Sequence, residues 1–288
     1  MSVVLYQMDP SFYSHLARVT LVEKGVAWES RNINIGPIME NYEPWYMRIH
    51  PAGVVPALDH DGTIVTEAID VMRYVDANFE GPSLSPEEPE LRERMEQWLE
   101  RMDDFPTREF SYGVQGIPAL KPMVKRSYHL RRKVLRKHRD KNPDLAERYE
   151  ARLRDIDTWE KVSTNPDDVE ALRQKAQAIL DDLEAELAHG NSWLFGEQYT
   201  LIDIWMMIFL SRLAQFKMSH WWEGGERPLV EAYYLRLKAR PSFVEGDVWT
   251  GIRPGFMFRM LAPFLLPRLT VLLLVLGALS YGVWWLFQ

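Results

Sequence analysis

The residues with the most chemical potential lie in one stretch, His50-Pro-Ala-Gly-Val-Val-Pro-Ala-Leu58 followed by Asp59-His-Asp-Gly-Thr-Ile-Val-Thr-Glu67-Ala68. Pro56 has no N–H to give to a sheet, so it marks an edge or bend and is a candidate cis bond. The backbone groups of Val55 are thereby left for another partner, such as an extended peptide-like ligand. Asp61-Gly62 between alternating apolar residues is a strong hairpin signal. Glu67 then opens a helical period, so the stretch predicts a strand, a turn, a second strand and a helix that starts at the same edge as the proline.

Absences bound the chemistry further. The chain has no cysteine, which excludes disulfides, thiolate metal sites, redox pairs and a Cys nucleophile. His129 and His138 lack acidic or His partners at ligand spacing, so no metal is expected. A net charge of -7 argues against nucleic acid as a partner. With 288 residues, 47 % of them apolar, there is material for two modest domains.

Positioning these residues requires a small set of elements. Val3 to Met8 reads as a buried strand broken by Asp9-Pro10-Ser11, and apolar spacing predicts a helix from about Phe12 to Lys24, stopped at Gly25. Ala27 to Ile35 predicts a second strand, Glu43 to Arg48 a short helix, and Ala68, Val71, Met72 and Val75 a helix ending near Phe79. Strand, helix, strand, helix, strand, strand, helix is the order of a thioredoxin-like domain, placed over residues 1–80. Gly81 to Pro86 reads as a domain linker, with Ser85 as N-cap and Pro86 as first residue of the next helix.

From there to about Phe243 every periodic segment is helical, so residues 85–247 form an all-α domain, with an insert over about 106–165. Asn165-Pro166 starts one long helix. Thr200-Leu-Ile-Asp203 is a capping box before Ile204 to Leu210, which is apolar all round and predicted to be the central buried helix. Within the insert, Lys121 to Lys141 holds ten cations against the single acid Asp140. Such a run is a solvated face or a contact for anionic lipid or an acidic partner.

Residues 248–268 are apolar but broken by Pro and Arg, as an interfacial linker is. Leu269 to Phe287 carries no charge and spans roughly 29 Å at about 1.5 Å per residue, enough for one transmembrane helix. Arg253, Arg259 and Arg268 precede it and nothing basic follows, so the globular part is expected to be cytoplasmic. The start, Met-Ser-Val-Val-Leu-Tyr, has no basic n-region and predicts no cleaved signal peptide.

Val55-Pro56, the acidic helix start at Glu67, Gly196-Glu-x-x-Thr200-Leu-x-Asp203 and Ala239-Arg-Pro-Ser-Phe243 together resemble the cytosolic glutathione transferase fold over roughly residues 1 to 250. Glu43-Pro-Trp-Tyr-Met-Arg48, the long insert, Asn142-Pro-Asp-Leu145, Tyr233-Tyr234 and the apolar C-terminal run narrow the resemblance to the tail-anchored ganglioside-induced differentiation-associated protein 1-like family. Mitochondrial members carry a basic tail after the anchor. Its absence here points to a bacterial relative, at the inner membrane rather than the mitochondrial outer membrane.

The resemblance implies that glutathione is the cofactor-like substrate. Its cysteinyl backbone pairs with Val55 before Pro56, and its γ-glutamyl carboxylate sits on the amides of Glu67 and Ala68. Active members usually carry Ser where Ala68 stands. Ser11 and Ser14 match the catalytic serine region, with Tyr6 and Tyr13 as less favoured hydroxyls, while a cysteine-free chain excludes thioltransferase and dehydroascorbate chemistry. The expected function is a membrane-tethered, possible homodimeric transferase acting on hydrophobic electrophiles; the alternative is an inactive sensor or scaffold of the same fold.

Overall fold

The structure is a computed structural model and describes residues 2–114, 121–251, 253 and 255. Met1–Ile35 and Met39–Gly251 form one compact unit, and Gly36–Ile38 with Ile252–Gln288 form a second. The first unit holds both the thioredoxin-like half and the all-helical half.

The first half runs β1 (Val3–Gln7), α1 (Phe12–Glu23), β2 (Glu29–Asn32), α2 (Pro44–Ile49), β3 (Ala57–His60), β4 (Thr63–Thr66) and α3 (Ala68–Asn78). The sheet order is β2-β1-β3-β4, with β1 parallel to β2 and the other pairs antiparallel. Gly62, at φ 90°, makes the hairpin turn that Asp-Gly predicts. β2 is shorter than expected and all four of its residues are exposed, as fits an edge strand with one partner. Val3, Leu5 and Leu58 pack with Ala17, Leu21, Val71 and Val75 under α1 and α3.

The second half contains α4 (Pro89–Asp103), α5 (Thr107–Val114), α6 (Lys121–Lys141), α7 (Ala146–Thr164), α8 (Pro166–Leu187), α9 (Leu201–Gln215), α10 (Pro228–Ala239) and α11 (Pro241–Glu245). Asn165 caps α8 by accepting from the Asp167 N–H at 3.1 Å. Ser85 is not the N-cap of α4. That helix starts at Pro89 behind Glu88, because the Ser85 hydroxyl donates instead to Asp76 at 2.7 Å. Gly81 to Pro86 is also tied down. Asp76 accepts from Leu84 N–H at 2.8 Å and Lys24 Nζ at 3.2 Å, and the Leu84 carbonyl accepts from Leu201 N–H at 2.8 Å.

One apolar core crosses both halves: Phe12, Leu16 and Val19 of α1 and Ile69 and Met72 of α3 meet Trp205, Met206 and Phe209 of α9. The expected central helix is α9, buried from Leu201 through Ser211. A second cluster joins Tyr128, Leu135, Tyr149, Leu153, Ile156 and Trp159 of α6 and α7 to Met39, Tyr42 and Met47. The insert thus packs on the flank of the first half.

α6 is not a uniformly solvated cationic face. Arg131 is buried, donating to the Tyr42 hydroxyl at 3.1 Å and the Ile35 carbonyl at 3.1 Å. Arg132 pairs with Asp157 and Glu160 of α7, and Arg139 with Glu150 and Asp140. Lys125, Arg126, Lys133, Arg136, Lys137 and Lys141 stay exposed. Among the described residues no helix is long and apolar enough to cross a membrane. The expected span, Leu269 to Phe287, lies outside the described residues.

Asp203 is fully buried and accepts from Thr200 N–H at 2.8 Å, Thr200 Oγ1 at 2.9 Å, Leu194 N–H at 3.0 Å and Tyr233 Oη at 2.6 Å. Asp203→Ala strands these donors in the core, at about 1–3 kcal/mol for each buried group left unpaired. We expect Asp203→Ala to lose about 3 kcal/mol or more of stability in a denaturant titration. A loss under about 1 kcal/mol contradicts the assignment.

Candidate functional site

Strand register assembles the site. Tyr6 lies opposite Ala57, and Ala57 opposite Thr66. The segments leaving this row, Met8 to Ser11, Val55-Pro56 and Glu67-Ala68, therefore emerge at one end of the sheet. Ser11, Val55, Pro56, Glu67 and Ala68, all singled out in the sequence, are brought to that end by three strands.

Val55-Pro56 is a cis peptide. Val55 is 4 % exposed, yet its own N–H and C=O take no partner among the described residues. The preceding carbonyl, that of Val54, is occupied by the Tyr46 hydroxyl at 2.6 Å. An extended ligand laid against this edge can complete the missing pair.

Glu67 is the N-cap of α3 at φ 65° and ψ 133°, a conformation costly for a residue with a Cβ. Its side chain makes no capping bond, so the first N–H groups of α3 remain open to an anion. The carboxylate is 58 % exposed, and its pKa is raised by desolvation and then by Asp103 and Asp70. An acidic patch next to open amides suits a zwitterion, ammonium on the carboxylates and carboxylate on the amides. Ala68 is buried in the shared core and offers no hydroxyl.

The two serines have different settings. Ser11 is half-buried and caps α1, its Oγ accepting from Ser14 N–H at 3.3 Å, which leaves the hydroxyl proton for a ligand. Ser14 is fully buried and accepts from Met8 N–H at 3.2 Å. Tyr13 packs edge-on to Phe12, and burial pushes its phenol up to about 12, with a bond from Thr107 partly offsetting this. Tyr6 is buried against Trp45 and Tyr46.

Three further residues shape the site. His50 is 1 % exposed, neither ring nitrogen has a hydrogen-bond partner, and Nε2 stands 3.9 Å from Glu67. Desolvation, then Arg152, lowers its pKa to about 4, so that contact is not an ion pair at neutral pH. Arg152 of α7 brings positive charge toward His50 and Glu67. Arg212 of α9 donates to the Pro10 carbonyl at 2.7 Å, beside Ser11. A lone cation inside an apolar helix was a visible signal for Arg212. His50 and Arg152 gave none, since their role depends on a chain crossing from α7. Two surface depressions of about 240 and 310 Å3 lie between α4, α5, α7 and α8 and include none of these residues. Among the described residues, no group of three His, Asp or Glu is placed to hold a metal.

Residues 10–78 match the family model for the glutathione S-transferase N-terminal domain, and residues 118–241 match that for the C-terminal domain. This chain belongs to the glutathione S-transferase family. It is 29 % identical to the tetrachloro-p-hydroquinone reductive dehalogenase of Sphingobium chlorophenolicum, covering 86 % of this chain and 98 % of the relative. It is also 29 % identical to human ganglioside-induced differentiation-associated protein 1-like 1, covering 86 % of this chain and 75 % of the relative. Among solved structures, the beta-etherase LigF from Sphingobium sp. strain SYK-6 superposes with a TM-score of 0.66 at 24 % identity, over 85 % of this chain and 98 % of that one. The last likeness establishes the transferase fold, and the relatives extend it to the ganglioside-induced group and to bacterial enzymes.

The His50 environment makes a pH prediction. Its pKa is 6.5 in the unfolded chain and about 4 when folded, so the native state binds fewer protons between these values. The resulting stability is present above pH 6.5 and is lost as pH falls toward 4, by up to about 3 kcal/mol. Denaturant titrations at pH 7 and pH 4 should show a smaller acid loss in His50→Asn than in the parent. Equal losses contradict the assignment.

Proposed function

We propose that this protein binds glutathione, or a closely related thiol, along the Val55–Glu67 edge and transfers it to hydrophobic electrophiles. The observation that carries this reading is the unpaired Val55 backbone, placed beside the open N-terminus of α3 and the Ser11 hydroxyl at one sheet end. Val55 pairs with the cysteinyl backbone, Glu67 takes the ligand amino group, and the α3 amides of Ala68 and its neighbours take the γ-glutamyl carboxylate. That leaves the thiol at Ser11, where the hydroxyl and the N-terminus of α1 favour thiolate. Ser11 is preferred over Ser14 because Ser14 is enclosed and already accepts a backbone bond. The thiolate attacks the electrophilic carbon, a carbon–sulfur bond forms, the leaving group departs with the electron pair of its bond, and the thiol proton goes to solvent.

The names of the relatives support aromatic substrates. One acts on a chlorinated hydroquinone and the fold neighbour is an etherase. The charge-free run from Leu269 to Phe287 serves in this reading as a single-pass anchor, with the globular part cytoplasmic at a bacterial inner membrane. The exposed cations of α6, Lys125 to Lys141, then meet anionic lipid at roughly 1 kcal/mol each near the surface. Pairing into a homodimer belongs to the same proposal and is checked by light scattering.

A second reading, an inactive scaffold of the same fold, is favoured by Ala68. A hydroxyl bond to a charged ligand contributes about 1.5–3 kcal/mol, so its absence weakens glutathione about ten- to a hundredfold. Three experiments separate the readings. Millimolar glutathione should raise the melting temperature of the full chain, and no rise overturns the binding claim. Ala68→Ser should tighten glutathione by about tenfold or more in calorimetry, while lowering the unliganded melting temperature because the new hydroxyl lies against the core. Ser11→Ala should reduce turnover of 1-chloro-2,4-dinitrobenzene by about a hundredfold. Unchanged turnover removes Ser11 from the mechanism, and undetectable turnover in the parent chain favours the scaffold.

A further inference from the structure

After Asp203, α9 carries one charged side chain, Arg212, in a helix that is otherwise apolar or buried from Leu201 to Ala214. A guanidinium in such surroundings loses hydration and needs compensation. Arg108, Arg152 and Arg240 find it in carboxylates: Asp155 and Glu109, Asp155, and Glu23. Arg212 has no carboxylate within 4.0 Å among the described residues. Among the described residues it donates to the Pro10 carbonyl at 2.7 Å and to no other partner. Its pKa is pushed down to about 10, foremost by desolvation, the Tyr112 and Tyr13 phenols acting the other way.

The side chain is nevertheless only partly buried, and its Nε and Nη1, which take no partner among the described residues, are not fully enclosed. Its remaining N–H donors therefore face space that a ligand can enter. The surroundings are aromatic. Phe216 lies 5.9 Å and Phe12 6.0 Å from the guanidinium carbon, Tyr13 stacks edge-on to Phe12, and Tyr112 of α5 is 38 % exposed nearby. Pro10, the residue it grips, directly precedes Ser11. A cation without a counter-ion, set among aromatic rings at the reactive end of the sheet, has the composition of a site for a planar anion.

We propose that Arg212 anchors the oxyanion of an acidic aromatic electrophile, a halogenated ring bearing a carboxylate or phenolate, and so selects anionic over neutral acceptors. The ring packs on Phe12, Phe216 and Tyr112, and the oxyanion takes the free guanidinium donors. The transfer step rests on the proposed thiol site: the thiolate sulfur bonds to the ring carbon that bears halogen, and halide leaves with the bonding electron pair. Negative charge that builds on the ring during attack is also within reach of the same guanidinium. The anion site itself depends only on Arg212 and its neighbours.

Calorimetry on the full chain without thiol tests that separately, using 4-chloro-3-nitrobenzoate and its neutral counterpart 1-chloro-2-nitrobenzene. The parent chain should prefer the benzoate by about ten- to a hundredfold, as charge-assisted bonds imply. Arg212→Gln should erase the preference, and Arg212→Lys should keep part of it. A parent preference below about threefold overturns the proposal without any variant. So does an equal loss for both ligands in a folded Arg212→Gln, since that marks a merely structural role at Pro10. Benzoate preference without glutathione transfer upholds the anion site and overturns the transferase reading. Transfer to both acceptors at equal kcat/KM, without a binding preference, does the reverse.

Discussion

The buried carboxylate of Asp203 is the constraint on which the rest of the molecule depends. α9 is apolar around its whole circumference and so has no amphipathic stripe to fix its rotation. A helix of that kind can turn about its axis at little cost in burial. Asp203 removes the freedom, because its oxygens must meet Thr200, Leu194 and Tyr233, which belong to the helix start, the preceding loop and α10. At the other end Arg212 must reach the Pro10 carbonyl. Two charged residues in a largely apolar helix set its rotation at both ends, and α1 packs against the face that results.

α1 is fixed from its other side by the end of the helical half. Arg18 donates from Nε to the Gly246 carbonyl at 2.9 Å and from Nη2 to the Asp9 carbonyl at 3.0 Å, and also reaches Gln7. Glu23 accepts from Arg240 at 2.8 and 2.6 Å and from Ser242. Gly246 stands so close that a Cβ there would lie 2.7 Å from Val19 Cγ2, so a larger residue would push α11 off α1. The loop carrying Ser11 is therefore braced by Arg18 at Asp9 and by Arg212 at Pro10. The Ser11 end of the thioredoxin-like half takes its geometry in part from residues more than two hundred positions away.

Local patterns in the chain were enough for the element order, the Asp61-Gly62 hairpin, the Thr200 capping box and the start of α8 at Pro166, since each depends on neighbours within a few residues. Ser85 misled because Ser-Pro-Glu-Glu has the form of a helix start, while the hydroxyl has a stronger acceptor in Asp76. The cationic run of α6 misled in part for the same reason. Its counter-ions, Asp157, Glu160 and Glu150, sit on the next helix, where composition within the run cannot reveal them. At the site, Val55, Pro56, Glu67 and Ala68 could be placed from spacing and resemblance. The different burial of Ser11 and Ser14 required the fold, as did noticing that Arg212 has no carboxylate beside it among the described residues.

The charges at the sheet end are arranged asymmetrically, and this constrains how two ligands can occupy it together. Glu67, Asp70 and Asp103 gather on the α3 side, where desolvation and then Asp103 and Asp70 raise the Glu67 pKa, and they favour an ammonium group there. Arg212 lies on the α9 side with no acid beside it among the described residues. In the proposed reading, a thiol ligand oriented by its amino end and an acceptor oriented by an oxyanion therefore dock at opposite flanks, with the sulfur and the electrophilic carbon meeting at Ser11 between them. Exchanging the two would set ammonium against guanidinium and oxyanion against carboxylates, a penalty at both ends. Ala68 makes the thiol half of this arrangement weaker than a serine would. A larger share of the orientation then falls on the acceptor side, where the guanidinium and the rings of Phe12 and Phe216 are held in place by the same α9 rotation that Asp203 sets.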